Sequence, residues 1–184
     1  MEILWILLAP VVIFLIWVMG IYNGLVQSRE TVKKGLFQID VQLKRRHDLI
    51  PNLVEAVKGY MAYEKDTLQR VIQARQIAVN AANVQDKIQS ENTLTSSLRG
   101  LLAVAENYPN LKADQSFLEL QAQLEGTENR IAVERMRYNQ AVQQFNTYQQ
   151  SLFGSFFASM THLTQPAVYF KAPEEAQAAP VVKF

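Results

Sequence analysis

The chain opens on twenty uncharged, mostly apolar positions, Ile3 to Tyr22, before any polar pattern begins. At ~1.5 Å rise per residue, a helix of that length matches a hydrocarbon core of ~30 Å. Pro10 and Gly20 are tolerated better in a membrane-crossing helix than in a soluble one, and Trp5, Trp17 and Tyr22 stand toward its ends, where aromatic rings favour the interface. This predicts a transmembrane anchor over 1–25. A cleaved signal peptide is the alternative, but it calls for a positive leader, a shorter apolar core and a small-residue cleavage site, and only Met1 and Glu2 stand before the run.

After the anchor the pattern turns helical and amphipathic. Phe117, Leu120, Leu124, Thr127, Ile131, Glu134, Tyr138, Ala141, Phe145, Tyr148 and Leu152 keep a 3,4 spacing, which predicts one long helix over 114–152, with Ser116 and Glu119 spaced as a capping box. Leu94, Leu98, Leu101, Ala105 and Tyr108 predict a helix over 84–107, set off by the Asn-rich turn at 80–83 and ended by Pro109. Val32, Leu36, Ile39 and Leu43 form a further stripe. Val57, Met61, Leu68, Val71 and Ala78 form another, about one residue out of phase. The slip falls at Pro51, so a helix over 26–80 kinked there is expected; a reversal with Asp48 as N-cap is the alternative. No strand pattern competes. The fold class is therefore all-α: an N-terminal transmembrane helix followed by an antiparallel, four-helix-type bundle over 26–152.

From Tyr138 to Phe170 there is no Asp, Glu, Lys or Arg, while the chain holds as many Gln as Lys and Arg together. A solvated helix surface carries both charge signs, so a charge-free run points to cover by membrane or protein. Tyr148, Leu152, Phe153, Phe156, Phe157, Tyr169 and Phe170 are the candidate self-association surface; folding back to close the bundle is the plainer reading of the apolar segment 153–170. With a kink at Pro51 this surface lies away from the membrane. With a reversal it comes back to it. Residues 171–184 are small, polar and proline-bearing, as a flexible tail would be.

Charge changes the picture in one respect. Lys and Arg nearly balance Asp and Glu, 18 against 17, so nothing pulls the chain toward nucleic acid. Arg29, Lys33, Lys34, Lys44, Arg45 and Arg46 follow the apolar run, which by the positive-inside bias puts the bundle in the cytoplasm and the N-terminus outside. The basic triplet 44–46 itself reads as a solvated helix face. The absence of cysteine excludes disulfides and a cysteine-borne lipid anchor and agrees with a reducing compartment, and Glu2 in place of Gly excludes myristoylation.

Candidate chemistry is sparse. Only His47 and His162 occur, and there is no HExxH, no Gly-rich phosphate loop and no GxSxG elbow, so no catalytic, metal or cofactor residues are assigned. Polar residues do fall on or beside the apolar stripes: Arg46, His47, Asp48, Glu64 and Arg75 in the first segment, and Thr127, Glu128, Asn129, Arg130 and Glu134 in the last. Charges at such positions need partners, so these ten form a candidate buried polar network that either fixes helix register or lines a polar groove.

Four strings carry a resemblance: Tyr22 to Val26 (YNGLV), Gln38 to Tyr60 (QIDVQLKRRHDLIPNLVEAVKGY), Ala105 to Ala113 (AENYPNLKA) and Glu125 to Ala132 (EGTENRIA), the last followed by RYN at Arg137 to Asn139. Together they resemble the LemA family of bacterial membrane proteins over nearly the whole chain. The resemblance implies a single-pass inner-membrane protein with a cytoplasmic helical bundle and no assigned activity, catalytic residue or cofactor, in a family discussed alongside membrane proteases and envelope stress. Phe170 to Pro173 and Pro180 to Phe184 resemble the family's usual ending. Leu152 to Leu163 departs from its Phe-Pro-containing segment. Two functions are open: a scaffold that self-associates at the membrane, or an adaptor that presents its bundle to a membrane enzyme.

Overall fold

The computed structural model describes residues 2–61, 63–161 and 165–171, with side chains from Leu8 onward. Trp5, His162 and the tail at 172–184 therefore lie outside the described side chains. Among the described residues the chain is all helical: α1 Glu2–Lys58, α2 Lys65–Val79, α3 Val84–Ala105, the single turn α4 Pro109–Lys112, α5 Gln115–Gln150 and α6 Leu152–Met160. They make two compact units. One joins residues 1–38 to 135–169, the other joins 39–134 to the C-terminal residues, and α1 and α5 contribute to both.

The larger unit is a bundle closed by aliphatic side chains. Ile50, Leu53 and Val57 of α1, Leu68 and Val71 of α2, Leu94 and Leu101 of α3, and Phe117 and Leu124 of α5 form one buried cluster. The chain turns through 59–64, and Arg75 Nε donates to the His47 carbonyl at 2.7 Å, so α2 lies back along α1. Asn83 caps α3 by accepting from the Asp86 amide (2.8 Å), and Lys87 meets Asp40 at 2.6 Å, which starts α3 in the direction of α1.

Pro51 corrects the expected geometry. Proline removes the amide that would bond to the carbonyl four residues back, that of His47. The Arg75 guanidinium takes that carbonyl instead. The helix accordingly passes Pro51 uninterrupted and ends at Lys58, not near residue 80, and the reversal begins about two turns beyond the proline. The capping box at Ser116 and Glu119 is also replaced. Asp114 accepts from the Phe117 amide at 2.9 Å and from the Tyr60 hydroxyl at 3.1 Å, so α5 starts at Gln115.

The smaller unit depends on a close helix approach. Tyr148 lies against Gly24 and Tyr138 against Gly35, so within this unit α5 runs antiparallel to α1. A Cβ at residue 24 would sit 2.5 Å from the Tyr148 hydroxyl oxygen, which donates to the Ile21 carbonyl at 2.9 Å; only glycine leaves room for that bond. Leu25, Phe145, Phe157 and Ala158 fill the interior, with Val18, Ile21 and Val32 at its edge.

Candidate functional site

Arg46 and Glu91 are the most deeply buried charges, at 1% and 0% exposure. Each is carried there by its place on an apolar stripe, Arg46 between Leu43 and Ile50 on α1 and Glu91 between Ile88 and Leu94 on α3. Arg46 Nη2 donates to Glu91 Oε2, and Nη1 donates both to Thr95 Oγ1 at 3.0 Å and to Glu128 Oε2 at 2.5 Å. One guanidinium thus ties α1, α3 and α5. His47 Nε2, carrying the proton it donates, meets the second Glu91 oxygen at 2.8 Å. Burial pushes the Glu91 carboxyl up, but the His47 hydrogen bond and the Arg46 charge outweigh it and hold the group below the usual carboxylate range.

The other proposed members of this network scatter. Arg75 joins it through the His47 carbonyl. Asp48 is exposed and pairs with Lys44, Glu64 accepts from the Tyr108 hydroxyl at 3.2 Å, and Thr127 is buried but donates to its own helix at the Gln123 carbonyl. Asn129 and Arg130 face solvent, and Glu134 is half-buried. Glu91 and Thr95 were missed. The stripe read from Leu94 onward extends back through Glu91 to Ile88, and that extension was the available signal.

The charge-free C-terminal region is partly folded inward. Phe157 and Phe170 are buried and Tyr148 is bonded to Ile21, so these three serve the chain's own packing; Leu152, Phe153, Phe156 and Tyr169 remain exposed. The expected position away from the anchor is overturned. The Phe153 ring packs edge-on to Trp17, within the apolar N-terminal run, with centroids 4.6 Å apart. The physical reason is the reversal at 59–64, which makes α5 a returning pass. Gly154 permits the tight α5–α6 corner, since a Cβ there would stand 1.9 Å from the Tyr148 carbonyl oxygen. Beyond α6 an extended strap lies on α5: Asn146 exchanges two bonds with the Ala167 backbone (2.8 and 3.1 Å), Tyr138 donates to the Val168 carbonyl (2.8 Å) and Gln149 to that of Gln165 (3.3 Å).

Two surfaces complete the inventory. On α5, Met136, Gln140, Gln143, Thr147 and Gln150 are exposed at 4,3,4,3 spacing, an uncharged heptad stripe. Between α1 and α2 an open groove of about 800 Å³ is lined by Val54, Met61, Leu68 and Ile72, with Lys58 and Lys65 at its rim. Among the described residues no group of three His, Asp or Glu is placed to hold a metal ion.

An all-helical protein with a buried charge cluster and one N-terminal helix long and apolar enough to cross a membrane is the class these features define. The chain belongs to the LemA family: the family model matches residues 35–184. It is also similar to Protein LemA of Metamycoplasma hominis, 23% identical over 167 residues that cover 86% of this chain and 76% of that relative.

Proposed function

We propose that this chain is a non-enzymatic, membrane-anchored helical scaffold that self-associates at the bacterial inner membrane, with its N-terminus outside and its bundle in the cytoplasm. The observation that carries the reading is the exposed stripe Met136, Gln140, Gln143, Thr147, Gln150. Heptad spacing lets two such helices interlock, glutamine and threonine side chains pair with their own kind, and no charge on the stripe repels a second copy. Arg29, Lys33 and Lys34, exposed just after the apolar run, support the cytoplasmic placement. The chain lacks cysteine, so a single Gln143→Cys in the full-length protein gives one crosslinking site in native membranes. The expected product of a short bis-maleimide is a homodimer, absent for Tyr63→Cys in the turn after α1. Links to a different protein alone, or from Ile72→Cys in the groove, would replace the scaffold with an adaptor for a membrane protein such as an envelope-stress protease.

A further inference from the structure

We infer that α6 is a membrane-interface helix, lying in the boundary between phospholipid headgroups and acyl chains with its Leu152, Phe153, Phe156 and Met160 face turned to lipid. The inference does not need self-association, but it rests on Ile3–Tyr22 being a membrane span.

The helix has two apolar faces. Gly154, Phe157 and Ala158 point inward, while Leu152, Phe153, Phe156 and Met160 are 80, 48, 64 and 64% exposed. Four large apolar side chains on nine residues form a contiguous patch that an aqueous surface does not favour. The position of the patch selects its occupant. Phe153 packs on Trp17, and Trp17 in turn on Phe14, so the exposed face of α6 continues the apolar surface of the N-terminal run. Tyr148, four residues before the start of α6, bonds to the Ile21 carbonyl near the end of that run. A helix held there meets whatever solvates Trp17, and around a spanning helix that is lipid.

The polar side chains of α6 point to the same medium. Ser151 donates to the Tyr148 carbonyl (2.7 Å), Ser155 to that of Leu152 (3.0 Å), Ser159 to that of Phe156 (2.7 Å) and Thr161 to that of Phe157 (2.8 Å). Every hydroxyl from 151 to 161 is thus spent on the helix backbone, which costs little in water and is required where water is scarce. No charge on 138–161 has to be desolvated. Interfacial helices that bind from solution supplement their apolar face with Lys or Arg. Tethering beside a span makes that attraction unnecessary, because insertion becomes intramolecular.

The test uses full-length protein in phosphatidylcholine–phosphatidylglycerol vesicles at less than one copy per vesicle, with an NBD fluorophore on a single cysteine at Phe156→Cys or, separately, Met160→Cys. Phospholipids spin-labelled near the headgroup should remove most of the emission from either site, and more of it than phospholipids labelled near the acyl terminus. Ile13→Cys should show the opposite order, and Tyr63→Cys should be quenched by neither. If Ile13 is not quenched, the span itself fails. If Ile13 behaves as expected but positions 156 and 160 behave like Tyr63, α6 faces water and the inference is overturned, as it also is if those positions become protected only when protein density drives association, which would make the face an interface between copies.

Discussion

α1 and α5 run through both units of this protein, yet they hold each unit together by different means. In the unit around residues 39–134 they close on ions: Arg46 is clasped by Glu91, Glu128 and Thr95, and Lys87 meets Asp40. In the unit around 1–38 and 135–169, tyrosine, asparagine and glutamine side chains tie the chain together by neutral bonds to backbone groups at Ile21, Val168, Ala167 and Gln165. A buried ion is held only while its partner stays, whereas each neutral bond contributes about 1 kcal/mol and its loss is local. The two units should therefore fail differently.

The largest expected effect tests the ionic unit. Arg46→Met keeps length and removes charge, leaving Glu91 at 0% exposure without its main counter-ion. The loss should be about 3–5 kcal/mol. Single cysteines at two equally buried alanines read the units separately, Ala105→Cys in the larger and Ala158→Cys in the smaller. In urea the thiol at 105 should become reactive at much lower denaturant while that at 158 changes less. Adding Glu91→Leu should recover most of the loss, since the uncompensated carboxylate is its source. A loss under about 1 kcal/mol with Arg46→Met alone would remove the contrast between the units.

A smaller effect is expected in the smaller unit. Asn146 is buried and both its donor and its acceptor are used by the Ala167 backbone. Asn146→Ala leaves both strap groups without partners and should cost about 2 kcal/mol. The readout is amide hydrogen exchange, fast at Ala167 and unchanged at Leu94 and Leu101. Spread of the effect into α3 would show that the units unfold together.

How much of this was readable in the chain follows from which residues carry local signals. The apolar run and the long stripe of α5 name their helices without help from tertiary structure. Arg46 was readable because it interrupts a stripe. Its partner was not, because Glu91 lies in the first half of a helix rich in Ser, Asn and Thr, where the apolar signal is weak. Pro51 misled for a related reason: the local cost of a proline is visible in sequence, but the compensating bond to the His47 carbonyl comes from Arg75, 28 residues from His47. The end of α1 has only Gly59 to announce it. The return of α6 to Trp17 then follows from that one turn, so a single misplaced reversal displaced the whole apolar segment.

The smallest effect, and the sharpest on the comparison, is pH. Burial raises the Glu91 carboxyl, but the His47 hydrogen bond and the Arg46 charge prevail, so its folded value lies below that of the unfolded chain. A group lowered in this way stabilises the fold fully above the unfolded value of about 4.3, and that contribution is lost as pH falls through the lowered folded value. Asp114 acts in the same sense, lowered first by the Phe117 amide and then by the Tyr60 hydroxyl. Both belong to the larger unit. Among the described side chains of the smaller unit the carboxylate is Glu30, exposed and paired with Lys33, and residues 138–161 hold none. Urea midpoints followed with a pyridyl disulfide reagent that reacts in acid should therefore fall between pH 6 and pH 3 at Ala105→Cys and stay level at Ala158→Cys. Glu91→Gln should lower the midpoint at pH 6 and flatten the dependence at position 105. Parallel falls at both positions would mean that acid stability is set by something the two units share, and the buried carboxylate of the larger unit would then have no separate consequence for how the protein comes apart.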